Sequence, residues 1–104
     1  MFADSLHAER VKIIYATSAD VLAMFTKRTA PIYPYSARRM GRTGSGIFRM
    51  YVNEQGIATK IGVMKSTGHT ELDIAAAAGL IQWRAKLGRR REVDMPVTFT
   101  MRRR

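Results

Sequence analysis

The stretch STGHTELDIAAAAGLIQWRAKLGRRREVDMPVTFTM, Ser66 to Met101, decides the fold. It reads as a tight turn, a helix, a basic loop and one last strand. Ser66-Thr67-Gly68 is turn chemistry and breaks the element before it. Thr70 stands where a helix cap is expected, with Asp73 three residues later in the manner of a capping box. Leu72, Ala76, Leu80 and Trp83 recur on one helical face, and Leu87 continues the stripe if the helix runs on to Gly88. The small residues Ala75 to Gly79 suit close packing of that helix on a sheet. Pro96 marks the approach to the strand, in which Val97, Phe99 and Met101 alternate with Thr98 and Thr100. A strand that closes a small sheet is often an open edge, able to bind another chain; the alternative is that it is central or capped by residues 11–15.

Upstream, Gly46 to Val52 alternates: Gly46, Phe48, Met50 and Val52 share one face, and Ile47, Arg49 and Tyr51 the other. Asn53-Glu54-Gln55-Gly56 is a turn in which Gly56 can take positive φ. Ala58 to Lys65 follows as the second arm of an antiparallel hairpin, with Ile61 and Val63 facing inward. Further back, Val11 to Tyr15 is short and β-branched, which predicts a strand. Ser18 caps a short helix carrying Val21, Leu22 and Phe25, and Pro31 and Pro34 end it. Ser36 to Met40 is another short helix, stopped by Gly41 and Gly44. The reading is α+β: a small antiparallel three-stranded sheet with two helices on one face. An extra N-terminal strand and a short helix are compatible with it. Residues 1–9 read as a loose segment, 10–101 as one domain and 102–104 as a basic tail.

The chain has 104 residues, 18 Lys and Arg against 8 Asp and Glu, and a formal charge of +10. That excess permits a polyanionic partner without choosing one. Arg38, Arg39, Arg89, Arg90 and Arg91 are the candidate contacts, with a plain solvated surface as the alternative. Nucleic acid is the weaker partner reading, resting on charge and on the outward Arg49 and Tyr51. Seven methionines fit core filling better than an adaptable surface.

Several chemistries drop out. Without cysteine there is no disulfide, thiolate or cysteine metal site. Two histidines, His7 and His69, with scattered acids make no ligand set, so no metal or other cofactor is expected. Ser66 and His69 lack an accompanying acid and oxyanion arrangement, so no catalytic residue is assigned. The Gly41, Gly44 and Gly46 run precedes a strand instead of opening a helix, unlike a phosphate loop. No apolar run approaches the ~20 residues that span a bilayer. Met1 to Arg10 lacks a signal-peptide core.

Tyr33-Pro34 followed by Ala37-Arg38-Arg39 resembles the Tyr-Pro-x-x-Ala-Arg segment of TonB C-terminal domains. Gly44, the Phe48/Met50/Val52 alternation and the turn at 53–56 resemble the first hairpin of that family. Lys65 to Gly68, Leu72-Asp73, Ala75-Ala76 and Trp83-Arg84 resemble its next block, and Val97-Thr98-Phe99 its closing strand. The resemblance covers Pro31 to Met101 best. It implies a periplasmic energy-transducing domain. Such a domain grips the TonB-box peptide of outer-membrane transporters for siderophores, vitamin B12 or glycans, and an ExbB/ExbD-type inner-membrane complex drives it with the proton-motive force.

By that resemblance Val97, Thr98, Phe99, Thr100 and Met101 form the peptide-binding edge. Ala30, Pro31, Ile32, Tyr33 and Pro34 form the neighbouring lip, Ala30 standing where some relatives carry a polar side chain. Gly44, Gly56, Gly68, Leu72 and Trp83 are structural, and Arg84 is expected to reach the loop at 88–91 or an acidic partner. Peptidoglycan is a further candidate partner, and an exposed edge is compatible with a homodimer. A TolA-like bridging domain is the nearest rival, disfavoured by the Tyr-Pro and Trp-Arg blocks. The anchor and proline-rich spacer of such transducers are not in this sequence, so a domain of a longer parent, anchored in the inner membrane, is one expectation and a short homologue the other.

Overall fold

A computed structural model describes residues 9–103. His7, Arg104 and all of the expected loose segment except Glu9 lie outside the described residues. The strands are β1 (Glu9–Tyr15), β2 (Phe25–Lys27), β3 (Gly44–Val52), β4 (Ala58–Lys65), β5 (Arg84–Ala85) and β6 (Arg91–Arg103). The helices are α1 (Ala19–Ala23), α2 (Tyr35–Arg39) and α3 (Thr70–Leu80). The main sheet has four strands in the order β1-β6-β3-β4, and β2 pairs with β5 in a second sheet of two. The expected three-stranded sheet is therefore present with a fourth strand added at its flank. The small β2–β5 sheet is new, because strands of two and three residues are too short to show a period.

Alternation builds the core. Along β3, Phe48, Met50 and Val52 are buried, and along β6 Val93, Met95, Val97 and Phe99 are buried opposite them. The register sets Phe48 across from Met95 and Met50 across from Val93, so one face of two neighbouring strands is continuous hydrocarbon. Helix α3 covers that face with Leu72, Ala76 and Leu80, all fully buried. Trp83 is fully buried too, but the helix has ended by then. Its indole lies in the segment leading to β5, where it donates to the Thr29 carbonyl at 2.8 Å. Leu87 does not extend the stripe: with no helix to carry it, it is 80 % exposed. Val63 faces inward by register but is half exposed, since β4 is an outer strand.

Three local expectations need correction. The cap position of α3 is His69 instead of Thr70, and no side chain caps it. Asp73 instead reaches back to the turn, accepting from the Thr67 amide at 2.9 Å and from the Thr67 and Ser66 hydroxyls. A carboxylate that satisfies three donors in the preceding turn is not available for a reciprocal cap. Helix α1 ends at Ala23, well before Pro31, because the chain turns at Met24 into β2. By contrast, Ser18 caps α1 as expected, its hydroxyl accepting from the Val21 amide at 3.2 Å. Gly56 adopts φ +83° in the hairpin turn, and a Cβ there would stand 2.0 Å from the Ala85 carbonyl oxygen. Asn53 closes that turn, its side-chain oxygen accepting from the amides of Gln55 and Ile57.

Candidate functional site

The expected working strand, Val97 to Met101, is not an open edge. On one side Val97, Thr98 and Phe99 pair with Gly46, Ser45 and Gly44 of β3. On the other, Val97 to Met101 pair antiparallel with Tyr15 to Val11 of β1. The physical reason is simple: residues 9–15 form a strand of matching length, and they take the row of backbone groups that β6 would otherwise leave unpaired. Val97 and Phe99 point into the core and the half-buried Met101 packs against it, so Thr98 and Thr100 offer the side chains outside it.

The two flanks of β6 are built differently. The β3 flank carries side-chain pairs as well as the ladder. Arg49 forks onto Asp94 directly opposite, with Nε to Oδ1 at 2.7 Å and Nη2 to Oδ2 at 3.1 Å. The hydrogen bond from Arg49 holds the Asp94 carboxyl below its ordinary range, and the guanidinium is raised in turn. Ser45 and Thr98 share a hydroxyl hydrogen bond at 2.8 Å. The β1 flank has none of these among the described side chains. Ile13 and Tyr15 are partly buried against the core, while Val11 and Ile14 are each 41 % exposed. Tyr15 lies edge-on to Trp83 with centroids 5.1 Å apart, and Phe25 meets the same indole at 5.0 Å. Burial pushes the Tyr15 hydroxyl up, against the opposing charge of Arg28, and that hydroxyl has no hydrogen-bond partner.

The lip residues divide. Pro31 and Tyr33 are buried, Pro34 is half-buried, and Ala30 and Ile32 are exposed, Ile32 at 81 %. Tyr33 stacks edge-on against Phe99 at 5.2 Å and donates its hydroxyl to the Arg42 carbonyl, so the lip is tied directly to β6. Pro31 packs on α3 at Gly79, where a Cβ would come within 2.8 Å of the proline Cα. Arg42 extends the tie: its guanidinium meets Glu71 at 2.8 Å on the first turn of α3. Asp73, two residues along, has its carboxyl raised by burial, but the bonds from Ser66 and Thr67 outweigh this and hold it below the usual range.

The basic candidates serve different places. The Arg38 and Arg39 guanidinium groups lie over the Tyr35 ring at 5.6 and 5.9 Å. Arg91 donates to the carbonyls of Lys86 and Arg89, closing its own loop. Arg89 and Arg90 are exposed, and Arg90 lines a groove with Tyr51, Thr59, Lys60, Arg91 and the acidic Glu92. Arg84 does not reach that loop. It turns back on the carbonyls of Ile81 and Trp83, capping the end of α3. The alternative reading, a final strand covered by residues 11–15, is the one the register shows; the alternation of Val11, Ile13 and Tyr15 is its signal in the sequence.

Among the described residues, no cluster of His, Asp and Glu could hold a metal ion, and no helix is long and apolar enough to cross a membrane. No solved structure matches the chain significantly. The protein tonB2 of Pseudomonas aeruginosa is 34 % identical over 85 residues, a match covering 76 % of this chain and 32 % of the relative. The chain thus spans about a third of that relative's length. Residues 29–103 match the family model for the Gram-negative bacterial TonB protein C-terminal region. With most of its length inside that match, and with the hairpin, α3 and β6 all falling within it, the chain belongs to the TonB C-terminal domain family.

Proposed function

We propose that this domain is a periplasmic peptide-binding module of an energy transducer, and not an enzyme. It takes up the TonB-box segment of an outer-membrane transporter by strand addition along Val97 to Met101. Force from an ExbB/ExbD-type inner-membrane complex, delivered through a parent chain, would then reach the transporter along that strand. The observation that carries this reading is the double character of β6. Residues 93–95 are fixed to β3 by core packing and the Arg49–Asp94 fork, while 97–101 meet only Gly46, Ser45 and Gly44 of β3 and are otherwise held by a single outer strand, β1. An extended peptide in that position would gain main-chain hydrogen bonds along the strand, with alternate side chains choosing register. Hydrogen bonds loaded together along a strand axis suit a pulling task. Tyr33, held between Phe99 and Arg42, keeps the lip segment 30–34 in place beside the line.

The test is a titration with a synthetic box peptide, followed at every backbone amide. Shifts concentrated in 97–101 and at the lip are expected. Thr98 and Thr100 present their N–H groups to the same edge, and replacing either with proline should cut binding if that edge is the ligand's. Shifts elsewhere with none in 97–101 would refute the docking line.

A second reading concerns anionic glycan such as peptidoglycan, and the groove lined by Tyr51, Lys60 and Arg90 favours it. Lys60 sits over the Tyr51 ring at 5.2 Å, a cation–π pair on the groove wall. Co-sedimentation with isolated peptidoglycan that fails in the Lys60→Ala/Arg90→Ala variant would support it, and retention by that variant would not.

A further inference from the structure

The strand that covers β6 comes from outside the family-matched region. The match begins at residue 29, whereas β1 ends at Tyr15. Within residues 29–103 alone, the main sheet would read β6-β3-β4 and β6 would be its edge. The core also closes without β1. None of the buried core residues lies between Val11 and Tyr15; Ile13 and Tyr15 are only partly buried against it. The fit is imperfect at its best-packed point, because the Tyr15 hydroxyl is sealed in beside Trp83 with no partner. Burying a hydroxyl without a hydrogen bond costs stability, and an occupant lacking that group would escape the cost.

We infer that β1 is a resident pseudo-ligand. It occupies the docking line until an extended antiparallel peptide, apolar at alternate positions and carrying a phenyl or aliphatic group for the Trp83 slot, displaces it. This rests on the proposed peptide-binding function and adds its regulation and side-chain preference. The register defines the subsites. The ligand residues replacing Val11, Ile13 and Tyr15 would stand opposite Met101, Phe99 and Val97. Those replacing Lys12 and Ile14 would stand opposite Thr100 and Thr98 on the solvent face. Tight occupancy by β1 lowers apparent affinity for every outside peptide by the fraction of molecules in which the line is vacant. The resident strand therefore sets a threshold that weak or mismatched peptides do not cross.

The probes are two synthetic peptides added to the full chain: ERVKIIY, a copy of residues 9–15, and the same peptide ending in Phe. The protein is compared as wild type, as Tyr15→Phe and as Ile13→Asp/Tyr15→Asp, which expels β1 from the apolar face. Binding about tenfold or more tighter by the opened variant is expected, with shifts in 97–101. The Phe-ended peptide should bind more tightly than the copy, and Tyr15→Phe in the chain should weaken binding of both.

Equal affinity of wild type and opened variant, with shifts still in 97–101, overturns the pseudo-ligand while leaving the docking line standing. Shifts along Ala58–Lys65 instead overturn the docking line itself. If the opened variant does not fold, amide exchange in the wild type decides. Opening of β1 well before β3 supports the inference, and joint exchange of the two overturns it.

Discussion

Strand β6 has two neighbours, and they do not hold it equally. Against β3 it shares a buried face of Phe48, Met50, Met95 and Val93, together with the Arg49–Asp94 fork and the Ser45–Thr98 bond. Against β1 it shares a backbone ladder, two half-buried side chains and one orphaned hydroxyl. Strand β6 is thus embedded in the fold at 93–95 and lightly covered along 97–101, where β3 contributes Gly46, Ser45 and Gly44 and β1 the rest of the pairing. Strand pairing by itself does not make a contact permanent; the side chains under the ladder do.

The sharpest way to break the comparison is to cut each flank at its apolar anchor. Phe48→Ala should cost about 3–5 kcal/mol. Ile13→Ala removes a half-buried side chain at an edge and should cost less, with the β3–β4 hairpin intact. Urea denaturation of the two variants checks this; equal losses would erase the distinction between the flanks. Next in size, Gly79→Val drives a branched side chain into Pro31 and should cost about 1–3 kcal/mol. Because Pro31 belongs to the lip, that variant should also lose box-peptide affinity, read from the same titration.

Asp73→Asn probes the brace under both flanks. It removes a carboxylate that three turn donors share, for a loss of about 1–3 kcal/mol at neutral pH. Since the folded carboxyl is held below its unfolded value near 3.9, its contribution is present above about pH 4. It fades as pH falls through the lower folded value. Thermal melts from pH 7 to 2 should show the wild type and Asp73→Asn converging in acid; a constant gap would contradict this. The smallest effect is expected from Arg49→Met. The Arg49–Asp94 pair is solvent-facing, so the melting temperature should fall slightly, and less in high salt.

The contrast also explains what the sequence could reveal. The β3–β4 hairpin, the Gly56 turn and the Leu72/Ala76/Leu80 stripe are written in local spacing, and the fold follows it. The family resemblance of the Tyr33-Pro34 and Trp83-Arg84 blocks identified the family, and the docking line on β6 is the proposal that grows from it. What spacing does not carry is adjacency. Whether Val97 to Met101 faces solvent or Val11 to Tyr15 depends on contacts between residues more than eighty positions apart, and both segments alternate in the same way. The role of Asp73 was hidden for a related reason. Its distance from Thr70 suggests a cap, and only the folded turn shows Ser66 and Thr67 closing on it.

The central claim is that β6 offers its β1 flank to a partner. The direct measurement is an amide-resolved titration of the unmodified chain with a transporter box peptide. The account predicts shifts through 97–101 together with movement of the β1 amides at 9–15 toward free-chain positions, while Phe48 to Val52 stay unchanged. Saturating binding along Ala58 to Lys65, with β1 still paired to β6, would contradict it.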